Sequence, residues 1–379
     1  KPQGPTMKIL AVMLMMITMA GEIQAQVELP DPFLFVDGSR VANQEDWPRR
    51  REELREQILK LEYGQMPPAP GNTTAVLLLS NEKKRHFQYK IYCGPDHKIS
   101  FVMDLLLPEG KGPFPVILRG DWCWGDVKEE IAKQVLDRGY ALANFNRLEL
   151  SPDLGSETAL LHGVYPDRKF GALAAWAWGF HRCVDVLVTL DSVDNNKIAI
   201  TGHSRGGKAT LLAGAMDERI ALTAPNASGT GGGDCFRVHG KQTEGIARIT
   251  KNFPRWFTPE FKQFAGQEEK LPFDQHCVMA LCAPRALLVT EAMSDQYTNP
   301  HGTYQNYRGA REVFQFFGQE RKIAMHVREG EHAHQKEDWD ALLDFADFVL
   351  KGKAAPDWTS NAKGFEDTLL FKWAAPGVN

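Results

Sequence analysis

The stretch "KIAITGHSRGGKATLLAGA" (Lys197–Ala215) decides how the chain is read. An apolar run, Lys197–Thr201, enters Gly202-His203-Ser204-Arg205-Gly206 and leaves through an alanine- and leucine-rich helical pattern. Strand, G-x-S-x-G turn and helix in that order are the setting that makes this pentapeptide informative. A serine at the tip of such a turn lifts its hydroxyl away from the sheet, and small flanking residues permit the close strand-to-helix approach. The following helix brings free N–H groups and the positive end of its dipole towards charge that develops during acyl transfer. Ser204 is therefore the candidate nucleophile.

On both sides the same rhythm continues. "FPVILRG", "YALANFN", "KIAIT", "IALTAPN", "PRALLVTEA" and "KIAMHV" read as short apolar strands. Between and after them come helical patterns such as "VKEEIAKQVLDRG", "ALAAWAWGFHRCVDVLVTL", "YQNYRGAREVFQFFG" and "KEDWDALLDFADFVL". Alternation of this kind predicts crossover units around a largely parallel sheet, an α/β three-layer sandwich of the α/β-hydrolase type. Upstream, "EDWPRRREELREQILKLEYGQMPP" reads as a helix stopped at Gly64. "TTAVLLLS", "RHFQYKIYC" and "KISFVMDLLLP" read as an antiparallel entry to the sheet. From Gly229 to Pro284 the rhythm gives way to glycines, charges and aromatics, an insertion of the sort that builds binding walls. One catalytic domain over residues 27–350 is expected, with 351–379 as a C-terminal extension packed on it.

A serine hydroxyl needs a base to take its proton and an acid to orient that base. After the nucleophile the expected order is acid, then histidine. "KIAMHVREGEHAHQKEDW" supplies a strand followed by a loop with His332 and His334. His332, directly behind Gly330-Glu331, is the favoured base, His334 its rival, and His326 reads as a packed strand residue. "PRALLVTEAMSDQYTNP" offers Asp295 beyond its strand as the favoured acid and Glu291, nearer the strand end, as the alternative. Arg205 and Lys208 in the first turns of a helix are unfavourably placed beside its dipole. Two cations there point to a task, and an arginine offers fixed donors to oxygen-rich groups. Trp176, Trp178, Phe236, Phe253, Trp256, Phe257 and Phe261 read mostly as core. "GTGGGDCF" reads as pocket floor, and "PNASG" as a plain loop.

The chain has 379 residues, 43% of them hydrophobic, and a formal net charge of -4. That suffices for a large core, and mild acidity without a basic run argues against phosphate-based nucleic-acid binding. Met7-Lys8, "ILAVMLMMITMA" and the small residues near Ala25 read as a secretory signal over 7–25, too short to span a bilayer. The six residues ahead of Met7 read as belonging to whatever precedes that start. A secreted or periplasmic location is expected. The six cysteines are widely spaced without a C-x-x-C pair, which speaks against structural zinc and for one or two bridges at most. Cys277 and Cys282 read as buried.

Longer runs carry a family resemblance. "GHSRGGKATLLAGAMDERIALTAPNASGTGGG", "LPFDQHCVMALCAPRALLVTEAMSDQYTNPHGTY" and "GEHAHQKEDWDALLDFAD" resemble the glucuronoyl esterases of carbohydrate esterase family 15, and in particular their bacterial branch. "FVDGSRVANQEDWPRRREELREQILKLEYGQMP" and "NFNRLELSPD" fit as well. The resemblance implies a cofactor-free α/β-hydrolase that cleaves esters between 4-O-methyl-glucuronate on xylan and lignin alcohols. It implies Ser204 as nucleophile, His332 as base, Arg205 as a contributor to the oxyanion hole, and Lys208 and Glu244 as partners of sugar hydroxyls. Tyr297 stands where the family usually has a sugar-contacting tryptophan. Ala227, in Pro225-Asn226-Ala227-Ser228-Gly229, stands where many members carry the acid glutamate, whereas Asp295 matches the other acid position found in bacterial relatives. The expected partner is a glucuronoxylan or glucuronate ester met by a monomer, with no metal and no nucleic acid. Two rival readings remain: an acetylxylan or general carboxylesterase on the same fold, and, prompted by Ala227, a degenerate hydrolase kept for binding xylan.

Overall fold

The computed structural model describes residues 28–154, 160–240, 242–357, 365 and 368–377. The signal-like segment 7–25 lies outside the described residues, as does part of the extension 351–379. The apolar runs become β4 (Phe114–Arg119), β5 (Ala141–Phe145), β6 (Val193–His203), β7 (Leu222–Asn226), β8 (Ala286–Ala292) and β9 (Ile323–Arg328). Every residue of β4, β5, β7 and β8 is buried, as strands covered on both faces require. The entry strands are β1 (Thr74–Asn81), β2 (His86–Cys93) and β3 (Ile99–Leu106).

All belong to one nine-stranded sheet in the order β1-β2-β3-β5-β4-β6-β7-β8-β9. β1, β2, β3 and β5 pair antiparallel. From β5 through β4, β6, β7 and β8 to β9 every pairing is parallel. The helices are α1 (Trp47–Ile58), α2 (Glu129–Asp137), α3 (Leu160–Val164), α4 (Ala172–Leu187), α5 (Arg205–Met216), α6 (Gly245–Asn252), α7 (Gln275–Ala280), α8 (Pro300–Phe316) and α9 (Lys336–Lys351). Successive strand residues point to opposite faces, and the two cores divide accordingly. Val116 and Leu118, Ala141 and Ala143, and Ile198 and Ile200 lie in one core with residues of α1, α4, α5, α7 and α8. Ile117, Leu142 and Ala199 face Ile131 and Val135 of α2 and Trp339, Leu342 and Leu343 of α9. This is an α/β sandwich of the α/β-hydrolase type.

Among the described residues, 229–284 hold α6 and α7 but add no strand. Trp176, Trp178, Phe236, Trp256, Phe257 and Phe261 are all buried, and Phe253 is half-buried. Near the C-terminus, Leu370 accepts a backbone bond from Leu29, and the Trp373 indole donates to the Leu29 carbonyl. Leu29, Cys235 and Phe371 share a small apolar cluster.

Candidate active site

In a parallel sheet the C-terminal strand ends open onto one crevice, and the chemistry-bearing loops gather there. Ser204 follows β6 and sits at the N-cap of α5 with φ 55° and ψ −122°, a conformation that L-residues adopt only under constraint. Two close approaches enforce the turn. A Cβ on Gly202 would lie 2.6 Å from the Gly206 carbonyl oxygen, and one on Gly206 would lie 1.9 Å from Asp121 Oδ1. The Ser204 N–H donates to the Asn226 carbonyl at 2.9 Å, which ties the turn to the end of β7.

His332, on the loop after β9, places Nε2 3.0 Å from Ser204 Oγ. Its Nδ1 lies 2.6 Å from Asp295 Oδ2, on the loop after β8. An Nδ1–H donated to the carboxylate leaves Nε2 to accept from the serine hydroxyl. Asp295 is buried, which works against its charge, yet hydrogen bonds from His332 and Thr298 outweigh this and keep its carboxyl below the usual range. Glu291 behaves oppositely. Burial, reinforced by the nearby Asp295 charge, raises it to about 8. Its oxygens accept from the hydroxyls of Thr298 (3.2 Å) and Thr303 (3.1 Å). The serine–imidazole–carboxylate line thus runs through Asp295.

His334 is turned inward and stacks on Trp339 with centroids 4.9 Å apart. Burial first, then the neighbouring His203 ring, holds it well below the ordinary imidazole value. His326 lies half-buried on β9.

Lys208, one turn into α5, is buried and has a partner for each ammonium proton. These are the carbonyls of Ser228 and Thr230, both at 2.7 Å, and Glu244 Oε2 at 3.1 Å. The Tyr297 hydroxyl donates to the other oxygen of Glu244, and Arg248 lies 5.0 Å above the Tyr297 ring. Lys208, Glu244 and Tyr297 therefore form one polar group, linked by Lys208 to the glycine-rich loop. The Arg205 guanidinium pairs with Asp153 at 3.0 Å and lies over Phe253 (5.2 Å) and Trp256 (5.1 Å).

Several contributors escape sequence reasoning. Asp121, on the loop after β4, accepts the His203 N–H at 2.8 Å and pairs with buried Arg147. "PNASG" proves to be more than a loop, since Asn226 holds both the Ser204 backbone and the His203 ring while Ser228 supports Lys208. Ala227 takes φ 41° there, and its N–H donates to Thr290. Among the described residues, no group of three or more His, Cys, Asp and Glu is arranged to hold a metal ion.

Residues 94–318 match the sequence family described as "Glucuronyl esterase, fungi". A carbohydrate esterase from an unknown prokaryotic organism is 30% identical over 396 residues, covering 86% of this chain and 90% of that protein. A 4-O-methyl-glucuronoyl methylesterase of Wolfiporia cocos is 32% identical over 304 residues, 76% of this chain and 72% of that one. Among solved structures, a family 15 glucuronoyl esterase from Caldicellulosiruptor kristjansonii superposes with a TM-score of 0.81 at 32% identity, covering 92% of this chain and 96% of its own. The chain belongs to the glucuronoyl esterases of carbohydrate esterase family 15, on their bacterial branch.

Proposed function

We propose that this carboxylic ester hydrolase is a serine esterase acting on esters of 4-O-methyl-glucuronic acid, as in lignin–glucuronoxylan linkages. The carrying observation is the continuous line from Ser204 Oγ through His332 to Asp295 at 3.0 and 2.6 Å. Ser204 Oγ attacks the ester carbonyl as its proton passes to His332 Nε2, and Asp295 stabilises the imidazolium. Backbone N–H groups at the start of α5, with Arg205 released from Asp153, meet the oxyanion. Collapse of the tetrahedral species expels the alcohol with the proton from His332. Water, activated by the same imidazole, then frees the uronic acid from Ser204. Lys208, Glu244 and Tyr297 stand ready to exchange part of their mutual bonding for sugar hydroxyls.

The test is hydrolysis of benzyl glucuronate beside an acetylated xylan. Release of glucuronic acid should be the faster reaction, and Ser204→Ala should lower it by about 10⁴-fold or more. A clear preference for acetyl esters would transfer the protein to the acetylxylan esterases. A parent no faster than Ser204→Ala, and unlabelled by a serine-directed phosphonate, would leave only a binding role.

A further inference from the structure

Beside the hydrolytic line stand two imidazoles that it does not use. The His203 ring centroid lies 4.6 Å from that of His332, tilted by 36°, and 5.8 Å from that of His334 at 24°. His334 stacks in turn on Trp339, and the edge of Trp124 meets His203 at 6.2 Å. The rings of Trp339, His334, His203 and His332 form a column that ends on the base.

His203 is fixed more firmly than its surroundings require for packing alone. The Asn226 amide Nδ2 donates to Thr290 Oγ1 at 2.8 Å, which leaves Asn226 Oδ1 as an acceptor. His203 Nδ1, 2.6 Å from that oxygen, must then carry the hydrogen and donate it. Its backbone N–H is held by Asp121, itself anchored by Arg147. His332, by contrast, is 35% exposed on a loop and is held by Asp295 at Nδ1, by Ser204 at Nε2 and by the edge of Tyr297, so His203 supplies the buried ring packed on one of its faces.

We propose that His203 is a positioning residue whose anchored, neutral ring braces one side of His332 and keeps Nε2 aligned on Ser204 while the base gains and loses its proton. This rests on His332 being the base. Neutrality matters because a second cation so near would oppose the imidazolium. Burial first, then His332 itself, lowers the His203 imidazole to about 4, against the pull of its Asn226 bond and of the Asp121 and Asp295 carboxylates. On the far side His334 is also held neutral, with Arg119 and Arg328 adding to the effect of its burial and of His203.

His203→Ala removes the brace, and His203→Phe restores a flat ring without the hydrogen bond or the titration. With benzyl glucuronate, His203→Ala should lose about 10- to 100-fold in kcat, with KM changed by no more than about 2-fold. His203→Phe, a flat ring that has lost its Asn226 anchor, should stand between the alanine protein and the parent, recovering part of the kcat. His203→Leu, of similar bulk but not flat, answers the question if the alanine protein does not fold. An active parent whose kcat is unmoved in His203→Ala or His203→Leu overturns the brace alone. So does equal impairment of the phenylalanine and alanine proteins. A parent without hydrolysis that Ser204→Ala removes takes away the base, and the brace with it.

Discussion

Asp295 and Glu291 sit at the same end of β8, yet the protein shifts their carboxyls in opposite directions. Asp295 keeps its charge through His332 and Thr298, whereas Glu291 is buried among threonine hydroxyls and raised to about 8. Asp295→Asn should therefore reverse the hydrogen-bond polarity at His332 Nδ1, favour the wrong tautomer and lower kcat by about 10³–10⁴-fold. Glu291→Gln should leave kcat within a few-fold, and steady-state kinetics on benzyl glucuronate separates the two. Glu291 also makes a prediction about stability. Its folded value lies above the ordinary 4.5, so between 4.5 and about 8 the native state binds more protons than the unfolded chain. Stability attributable to this residue is present below 4.5 and is lost as pH rises towards about 8. Glu291→Gln should raise Tm over the parent at the alkaline end of that window and converge with it at the acid end. A gain that grows on acidification would contradict this account. The order serine, acid, histidine was legible because each residue follows its own strand, and strand order is written in the alternation of apolar runs. Asp121 and Asn226 were not legible, because a carboxylate in a loop carries no mark of the backbone N–H it will accept from, nor an amide at a strand end of the ring it will hold on the neighbouring strand.

At the scale of elements, the turn between β6 and α5 shows how far local signals reach. G-x-S-x-G identified the turn, and the structure explains the last glycine by contact, since any Cβ there would enter the Asp121 carboxylate. Gly206→Ala must displace Asp121 from the His203 N–H or push α5 away from the sheet. Overpacking of this kind costs about 1–3 kcal/mol. Thermal unfolding of Gly206→Ala should show that loss, and phosphonate labelling of Ser204 should slow in parallel. A protein with parental Tm and labelling rate would show that the turn tolerates the methyl group. The remaining elements were mostly readable from their apolar spacing, including the antiparallel entry strands. The environment of β1 was not. "TAVLLLSN" has the composition of a covered strand, yet Leu77 and Leu78 are 49% and 54% exposed because β1 closes the sheet and nothing described covers it. A run of apolar residues states a preference for burial, while the fold decides whether a neighbour is there to provide it.

All six cysteines of the molecule are free. Cys93 ends β2, Cys183 lies in α4, and Cys235, Cys277 and Cys282 lie in the insertion, Cys277 within α7; all five are buried. Such thiols need no partner to survive oxidising conditions, because the thiolate is the reactive form and burial suppresses it. Burial raises Cys93 and Cys277 to about 12, and Cys183 and Cys235 well above the ordinary thiol value. Cys123, beside the two tryptophans after β4, is only half-buried, and even there burial raises the thiol. The covalent contribution to stability should consequently be nil, with the hydrophobic cores on the two faces of the sheet carrying the fold. Titration with a disulfide reagent should count six thiols in denaturant. In the native enzyme it should reach Cys123 alone, slowly at neutral pH and faster as pH rises, and Cys123→Ser should abolish the native reaction. Tm should be the same with and without reductant. A Tm that falls on reduction, or fewer than six thiols in the unreduced denatured chain, would mean that two of these thiols are bridged after all.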